Sequence, residues 1–316
     1  MIVRWGLDQL PQTIAEVGIE NPYVIAGERW RDLALPLHTG WWSEVPSENV
    51  PVTPEADGLL AVGGGSAIDT AKHASAETGL PLVAVPTTYS GAEWTAFYGI
   101  RSPDRRMRGG GGGANTVALV YDVDLTLDLP RRETAGTSMN ALAHCAEALY
   151  TRGRSPQGDE QALEGARLIA AALPRVLARP HDREARLELL QGAAHAGHAL
   201  GIAGLALAHA MAQSLGGTYG LSHGAMNALC LPPALEYNRA FVPAEVERFG
   251  VAVGGDPIET PRQLARLGGI ERLRDFGVPR NELPDVAAAA AQRPGNQASP
   301  HPASPAEIAA MYESIW

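Results

Sequence analysis

Apolar and polar residues alternate in short blocks over the first 130 residues. Apolar runs occupy residues 23–26, 58–62, 80–88 and 117–122, and each run has the length of one buried strand. Residues 67–79 instead show helical spacing and end at a glycine, as helices commonly do. Buried strands separated by a helix predict a βαβ unit with a parallel sheet.

The pattern changes near residue 131, after which the chain is rich in Ala and Leu at helical spacing and has almost no strand signal. Long helical segments cover residues 134–153, 159–180 and 187–217. We therefore place a domain boundary at residues 129–132. The predicted fold class is an α/β N-terminal domain with a parallel sheet, followed by an all-α C-terminal domain.

In two segments of the N-terminal half, the apolar residues show no clear periodicity. Residues 36–58 are rich in Pro, Ser and Trp and are predicted to form an irregular connector. Five consecutive glycines at 109–113 cannot pack a core, and we expect them to be mobile. We interpret Arg105, Arg106 and Arg108 beside them as part of a solvated loop rather than a site.

Composition narrows the possible functions. The chain has 316 residues, is 45% hydrophobic and has a formal net charge of −10, which argues against tracking a nucleic-acid backbone. Two cysteines give no disulfide framework and fit a reducing cytoplasm. We expect no signal peptide and no membrane span. A small-molecule substrate fits this composition, since a pocket can be locally positive.

The first candidate for chemistry is the sequence "GGGS" at Gly63, Gly64, Gly65 and Ser66, between a strand and a helix. Exposed N–H groups at a helix start bind phosphate, and glycines allow it to approach the backbone. A plain strand-to-helix turn explains the same residues equally well. Ser66 is a candidate N-cap, and Asp69 lies in the first two turns, where a carboxylate suits the helix dipole.

The second candidate is "VPTTYSGAEWT", which follows the next strand. Thr87 and Thr88 offer hydroxyls at the carboxyl edge of the sheet, where open α/β sheets bind ligands. Ordinary turn chemistry is the alternative interpretation.

The third candidate is a set of histidines. Asn140 and His144 are four residues apart and share a helix face, while His209 and His223 lie farther along the chain. Three imidazoles can hold a divalent metal as a Lewis acid or serve as general acids. We interpret His195 and His198 as structural or substrate-lining. Cys145 points away from the His144 side and is interpreted as buried packing.

Together these motifs resemble a known family. "GGGSAIDTAK", "VPTTYSGAEWT", "TSMNALAHCAEALY" and "HAMAQSLGGTYGLSHG" occur in the order seen in the iron-containing alcohol dehydrogenase superfamily, and they look most like its maleylacetate reductase branch. The resemblance implies a dehydroquinate synthase-like fold. Residues 1–130 would be a shortened dinucleotide-binding domain and residues 131–316 a helical catalytic domain, with the active site in the cleft between them.

The resemblance also implies roles for individual residues. The cofactor, NADH or NADPH, would be held by one set of positions: Gly63, Gly64, Gly65, Ser66, Asp69, Thr87 and Thr88. His144, His209 and His223 match metal-ligand positions of the alcohol dehydrogenases, and Asn140 stands where those enzymes carry an aspartate. Loss of that carboxylate, together with the short form "PTTYSGAEWT", implies no tightly bound metal. The histidines would then polarise the substrate and donate protons.

Two further departures from the family pattern affect the expected substrate and cofactor pocket. Gln213 replaces a histidine that faces the substrate in many relatives. Between the first strand and "GGGS", relatives carry a helix and a strand where this chain has only the connector, so the adenosine side of the pocket is expected to be altered. The family's dimers suggest a homodimer by analogy.

The leading hypothesis is an NAD(P)H-dependent reductase of a small carboxylate- or carbonyl-bearing substrate. The second is a repurposed family member that acts as a non-redox lyase, cyclase or isomerase. A non-enzymatic binding role is the third. The sequence does not choose between NADH and NADPH, and it names no substrate.

Overall fold

The computed structural model describes residues 1–102 and 106–316, which form two compact units. Unit 1 consists of Met1–Thr88 and Ala92–Leu127, and unit 2 consists of Tyr89–Gly91 and Asp128–Trp316. Arg105, predicted to lie in a solvated loop, is outside the described residues. Arg106 and Arg108 are exposed, as that interpretation requires, although the Nε of Arg108 donates to the Oγ of Ser102 at 3.0 Å.

Unit 1 is an α/β structure built on one parallel sheet. Its strands and helices are β1 (Ile2–Trp5), α1 (Leu10–Glu16), β2 (Pro22–Ala26), β3 (Gly40–Trp42), β4 (Gly58–Gly63), α2 (Gly65–Thr78), β5 (Leu82–Pro86), β6 (Tyr98–Arg101), β7 (Met107–Gly111) and β8 (Thr116–Tyr121). The sheet has the order β1-β8-β5-β4-β2-β3. All of its strand pairs are parallel, which confirms the predicted fold class for this half.

Alternate residues of the central strands pack on opposite faces of the sheet. Leu60 and Val62 of β4 lie in one core cluster, which α1 covers through Leu10 and Ile14. Leu59 and Ala61 lie in the other cluster, which includes Ala71 and Ala74 of α2. Burial on both faces explains why β4 reads as one continuous apolar run instead of an alternating one.

Two expectations for unit 1 are wrong. The connector contains a strand, β3, which pairs with β2 through Val24 opposite Trp41. The glycine run is also ordered in part, because β7 pairs antiparallel with β6 in a hairpin. A Cβ on Gly111 would lie 2.7 Å from the hydroxyl oxygen of Tyr98, so a side chain there would displace the Tyr98 ring. In residues 27–57, which are all described, there is no α-helix.

Unit 2 is helical, as predicted. Its helices are α3 (Arg131–Ala148), α4 (Pro156–Ala178), α5 (Arg183–Ala203), α6 (Leu207–Tyr219), α7 (His223–Arg239), α8 (Pro243–Val253), α9 (Glu259–Leu267), α10 (Leu283–Ala291), α11 (Pro294–Ala298) and α12 (Pro305–Ser314). Local signals set several starts. Ser155, Asp182 and Ser222 accept backbone N–H groups at the first turns of α4, α5 and α7.

The short segment Tyr89–Gly91 is held in unit 2 by side chains of its helices. Arg186 of α5 is 1% exposed, and its Nη1 donates to the Tyr89 hydroxyl at 3.1 Å. Asn140 Nδ2 donates to the carbonyl of Ser90 at 2.9 Å. The other Arg186 donors reach the carbonyls of Pro180 and Leu129, so neutral oxygens satisfy this buried guanidinium.

No single helix in the described residues is long and apolar enough to cross a membrane. Helices α5 and α6 pass that test of length and composition only together, as a pair bent by 101°.

Candidate functional site

The glycine loop (Gly63–Ser66) connects β4 to α2 and has no room for side chains at its first two positions. A Cβ on Gly64 would lie 2.8 Å from Cγ2 of Thr88, and one on Gly63 would lie 2.7 Å from Cβ of Ala67. Helix α2 starts at Gly65, and its N-cap, Gly64, provides no side-chain hydrogen bond to the first turn. The backbone N–H groups at this helix start are therefore available to an anion, as in nucleotide-binding loops.

Ser66 does not cap α2, which corrects the expectation from the sequence. The helix already begins at Gly65, so Ser66 lies inside the first turn, where its own carbonyl accepts the hydroxyl of Thr70 at 2.9 Å. The N-cap is therefore Gly64, two positions before Ser66.

The two threonines lie at the end of β5, beside the glycine loop. The N–H of Thr87 donates to the carbonyl of Gly63 at 3.0 Å. Its hydroxyl accepts from Nη2 of Arg29 at 3.4 Å. The Oγ1 of Thr88 is buried and has no hydrogen-bond partner among the described residues. A buried hydroxyl without a partner beside an open helix start fits a polar ligand at this edge.

Asp69 points away from the helix start and takes part in the packing of α2. Its Oδ1 lies 3.0 Å from Nζ of Lys72, which is 1% exposed. Its Oδ2 accepts from the N–H of Gly99 at 3.3 Å. Lys72 Nζ also donates to the carbonyls of Ala92 and Phe97. The contacts of Asp69 therefore join α2 to the β6–β7 hairpin.

The imidazole cluster (His144, His209 and His223) lies in unit 2. The rings of His144 and His209 stack, with centroids 4.7 Å apart and an interplanar angle of 15°. The centroids of His209 and His223 are 5.7 Å apart. Three helices supply these rings: α3, α6 and the first residue of α7. The structure therefore brings together the three histidines that the sequence spreads over 80 positions.

Glu147 fixes the orientation of His209. Its side chain is fully buried, and Oε2 lies 2.7 Å from Nδ1 of His209. Its two oxygens also accept the backbone N–H groups of Ala206 and His209, at 2.7 and 3.2 Å. The carboxylate accepts a hydrogen bond from the N–H at Nδ1 of His209. Nε2 is therefore the ring nitrogen that remains for chemistry. That Nε2 is buried and has no hydrogen-bond partner among the described residues.

Two buried amides bind the other two imidazoles. Asn140 Nδ2 lies 3.4 Å from Nε2 of His144, and Asn227 Nδ2 lies 3.0 Å from Nε2 of His223. Asn227 Nδ2 also donates to Oδ1 of Asn140 at 2.6 Å. An amide N–H can only donate, so each of these imidazole nitrogens accepts a hydrogen bond. All four predicted catalytic residues thus belong to one network.

His144 is neutral in this setting. Burial lowers the pKa of His144 well below its ordinary value of 6.5, and the neighbouring rings of His209 and His223 lower it further. A neutral His144 can accept a hydrogen bond at Nε2, as its contact with the Asn140 amide requires.

As the cluster is arranged, Nε2 of His144 and Nε2 of His223 are not open to a divalent metal, because each faces an amide donor of Asn140 or Asn227. The Asn140 oxygen that would replace a carboxylate ligand already accepts from Asn227. Within residues 1–102 and 106–316, no three His, Cys, Asp or Glu side chains are placed so that they could hold a metal ion.

The remaining candidates from the sequence lie on α3, α5 and α6. Gln213 is half-buried on α6, one turn after His209. His195 joins α5 to α4, because its Nδ1 lies 2.7 Å from Oε1 of Gln161. Burial lowers the pKa of His195. His198 is half-buried on α5. Cys145 is fully buried, as expected, and burial raises the pKa of its thiol.

Sequence reasoning missed Glu147 and Asn227, although helical spacing carries a signal for both. Glu147 lies three residues after His144 and seven after Asn140, so all three share one face of α3. Asn227 is four residues after His223 on α7. A search for polar residues one turn from each candidate histidine would have found both.

Two family models match this chain. The C-terminal model of the Fe-containing alcohol dehydrogenase family matches residues 134–316. The iron-containing alcohol dehydrogenase model matches residues 52–120. The matches contain the imidazole cluster and the glycine loop, respectively.

Curated relatives include maleylacetate reductases. The enzyme from Pseudomonas knackmussii is 33% identical over 306 residues, which covers 91% of this chain and 87% of the relative. The enzyme from Sphingobium indicum is 37% identical over 242 residues, which covers 76% of this chain and 69% of the relative.

Two solved structures superpose on the whole of this chain. Maleylacetate reductase from Agrobacterium tumefaciens superposes with a TM-score of 0.88 at 27% identity, covering 100% of this chain and 95% of that one. An iron-containing alcohol dehydrogenase from Corynebacterium glutamicum superposes with a TM-score of 0.89 at 29% identity. The superposition covers 100% of this chain and 94% of that one.

Proposed function

This chain belongs to the iron-containing alcohol dehydrogenase family, near its maleylacetate reductase branch, and we propose that it reduces a small carboxylate- or carbonyl-bearing substrate without a bound metal. Its relatives support an NAD(P)-dependent oxidoreductase. The substrate class and the metal-free mechanism are the proposal. The observation that carries it is the buried His209–Glu147 pair with its open Nε2.

The glycine loop fits the cofactor that this activity requires. The N–H groups at the start of α2 would hold the pyrophosphate of NADH or NADPH, because no side chain caps this helix start. Thr87 and Thr88 would contact the cofactor at the end of β5. When bound, a reduced nicotinamide dinucleotide supplies the hydride.

The imidazole cluster would supply the proton that the reduction requires. In the proposed reaction, Nε2 of His209 donates a proton to the substrate atom on which negative charge develops. Glu147 would balance the charge of His209 while that nitrogen holds its proton. His144 and His223 would polarise the substrate, with Asn140 and Asn227 keeping their rings in place.

The metal-free part of the proposal depends on the two amides. Asn140 and Asn227 engage three candidate metal-ligand atoms, namely Nε2 of His144, Nε2 of His223 and Oδ1 of Asn140. Metal analysis of the purified protein should find far less than one iron or zinc per chain, and a chelator should leave the activity unchanged. A stoichiometric metal that is lost together with activity would contradict this part.

A two-step experiment tests the reductase. Fluorescence titration of the purified chain with NADH and NADPH should show binding of at least one of them below millimolar concentration. Reduced-nicotinamide absorbance should then fall when maleylacetate or a related small keto or unsaturated acid is added. Binding without consumption, across acids of this class, would refute the proposed substrate class. Failure to bind either dinucleotide would refute the reductase itself.

A further inference from the structure

Arg29 lies in the turn that follows β2, the strand that pairs with β4. Strand β2 pairs with β4 up to Ala26 opposite Val62, so the residues that follow both strands come out at the same edge of the sheet. After β2, the chain turns through a 3₁₀ helix at Glu28–Trp30. This turn places an arginine next to the open start of α2.

The side chain of Arg29 reaches across the end of β4. Its Nη2 is 3.4 Å from Oγ1 of Thr87, and β5, which ends just before Thr87, lies on the far side of β4. The N–H of Thr87 in turn donates to the carbonyl of Gly63. The guanidinium therefore contacts a residue that is itself hydrogen-bonded to the glycine loop.

The charge of Arg29 is uncompensated within the described part of the chain. Its described contacts are the Thr87 hydroxyl and the ring of Trp30, which lies 4.5 Å from Cζ. The adjacent carboxylate, Glu28, pairs instead with Arg31 at 3.4 Å. In a protein with a net charge of −10, a cation held on an aromatic ring without an acidic partner suits an anionic ligand.

We propose that Arg29 binds the pyrophosphate of the dinucleotide, an inference that rests on the proposed function. The helix start supplies backbone donors to this group, and Arg29 adds a charge and a planar set of N–H donors, which match phosphate oxygens. Trp30 holds the guanidinium in place before the ligand arrives, so less side-chain freedom is lost on binding.

The contact of Arg29 with Thr87 favours the pyrophosphate over the ribose 2′-phosphate. Thr87 is hydrogen-bonded to Gly63 in the loop that would hold the pyrophosphate, and Nη2 of Arg29 lies 3.4 Å from the Thr87 hydroxyl. Arg29 should therefore contribute equally to NADH and NADPH, since both carry the same pyrophosphate.

Binding titrations of the full chain with NADH, NADPH and ADP test this role. We expect Arg29→Gln to raise the dissociation constant of all three ligands alike, by about tenfold or more, as loss of a charge-assisted contact does. Arg29→Lys should recover part of the affinity, because it keeps the charge and loses the planar geometry.

Arg31→Gln is the matched control. Arg31 is two residues away in the same turn but pairs with Glu28 and lies over the ring of Trp41 at 4.7 Å. Its loss should change each dissociation constant by less than about twofold. Thermal unfolding of all variants should match the wild type, which separates binding from folding.

Three results would contradict the inference. Wild-type affinity of Arg29→Gln for all three ligands would remove Arg29 from the site. A loss confined to NADPH would move it to the ribose 2′-phosphate. If the wild-type protein binds none of the ligands, the proposed function fails, and this inference fails with it.

Discussion

The glycine loop takes its binding surface from four consecutive residues between β4 and α2, whereas the imidazole cluster takes three rings from α3, α6 and α7. In the proposed function, the loop would act through backbone N–H groups, and its packing needs the absence of side chains. The cluster would act through side chains that are held by partners elsewhere in unit 2, such as Glu147. Changes to the loop should therefore affect cofactor affinity, and changes to the cluster should affect the chemical step.

Glu147→Gln should produce the largest effect. The amide would present N–H donors where the carboxylate now accepts from Nδ1 of His209, so His209 would lose its orientation and charge balance. We expect kcat to fall by about 10²- to 10⁴-fold. The dissociation constant for NADH should stay within about twofold, since the glycine loop belongs to the other unit.

Glu164→Gln is a suitable control for that experiment. Glu164 is a partly exposed carboxylate that pairs with Arg167 on the same helix turn. Its replacement should leave kcat unchanged. Equal losses in both variants, or a large loss of cofactor affinity in Glu147→Gln, would contradict the separate roles of loop and cluster.

Gly64→Ala should give the complementary result. Its Cβ would lie 2.8 Å from Cγ2 of Thr88, so the loop must shift where the phosphate is expected. We expect about a tenfold weaker dissociation constant for NADH, with kcat at saturating cofactor nearly unchanged.

Gly79→Ala, at the other end of α2, separates loop geometry from helix stability. Gly79 has a φ of +75° and open space around it, so alanine there costs only backbone strain of about 1 kcal/mol. This control should lower the melting temperature and leave cofactor affinity intact. Unchanged affinity in Gly64→Ala would place the pyrophosphate elsewhere.

The stability of the protein should depend on pH through His144. Because burial lowers the folded-state pKa of His144 below its unfolded value of 6.5, the unfolded chain binds a proton first as the pH falls. Neutral His144 makes its full contribution to the free energy of unfolding above about pH 6.5. That contribution decreases as the pH falls below this value. The slope can reach about 1.4 kcal/mol per pH unit.

Denaturant unfolding at several pH values measures this slope. His144→Gln should flatten the dependence below pH 6.5. His181→Gln, which changes a histidine whose side chain is 74% exposed, should leave it unchanged. The same slope in wild type and His144→Gln would mean that another group is responsible.

The smallest effect is expected at Gln213. Since Gln213 follows His209 by one turn of α6, a histidine there would add a second group able to donate a proton beside the cluster. Gln213→His should raise kcat/KM for maleylacetate by a few-fold, about threefold to tenfold, without changing the affinity for NADH. Gln213→Asn provides the control that shortens the side chain and adds no imidazole.

The sequence predicts best what is local. The buried strands β4, β5 and β8 and the end of α2 at Gly79 follow from apolar runs and one glycine. Strand β3 is three residues long and surrounded by irregular chain, so no pattern reveals it. Strand β7 is mostly glycine, and only its backbone pairing with β6 defines it.

The imidazole cluster is predictable only in part. The spacing of Asn140 and His144 on one helix face predicts their contact. The distance between His209 and His144 depends on how α6 packs against α3, which no local pattern contains. Likewise, the pairing of Asn227 with Asn140 joins residues 87 positions apart.

The attachment of Tyr89–Gly91 to unit 2 limits how the chain can be divided or synthesised. A fragment beginning at Asp128 would lack the Tyr89 hydroxyl and the Ser90 carbonyl, and it would leave donors of Arg186 and Asn140 without these acceptors. On the ribosome, these three residues emerge long before the helices that need them. The helical unit is therefore discontinuous in the chain, and its complete set of contacts includes a segment that is made earlier.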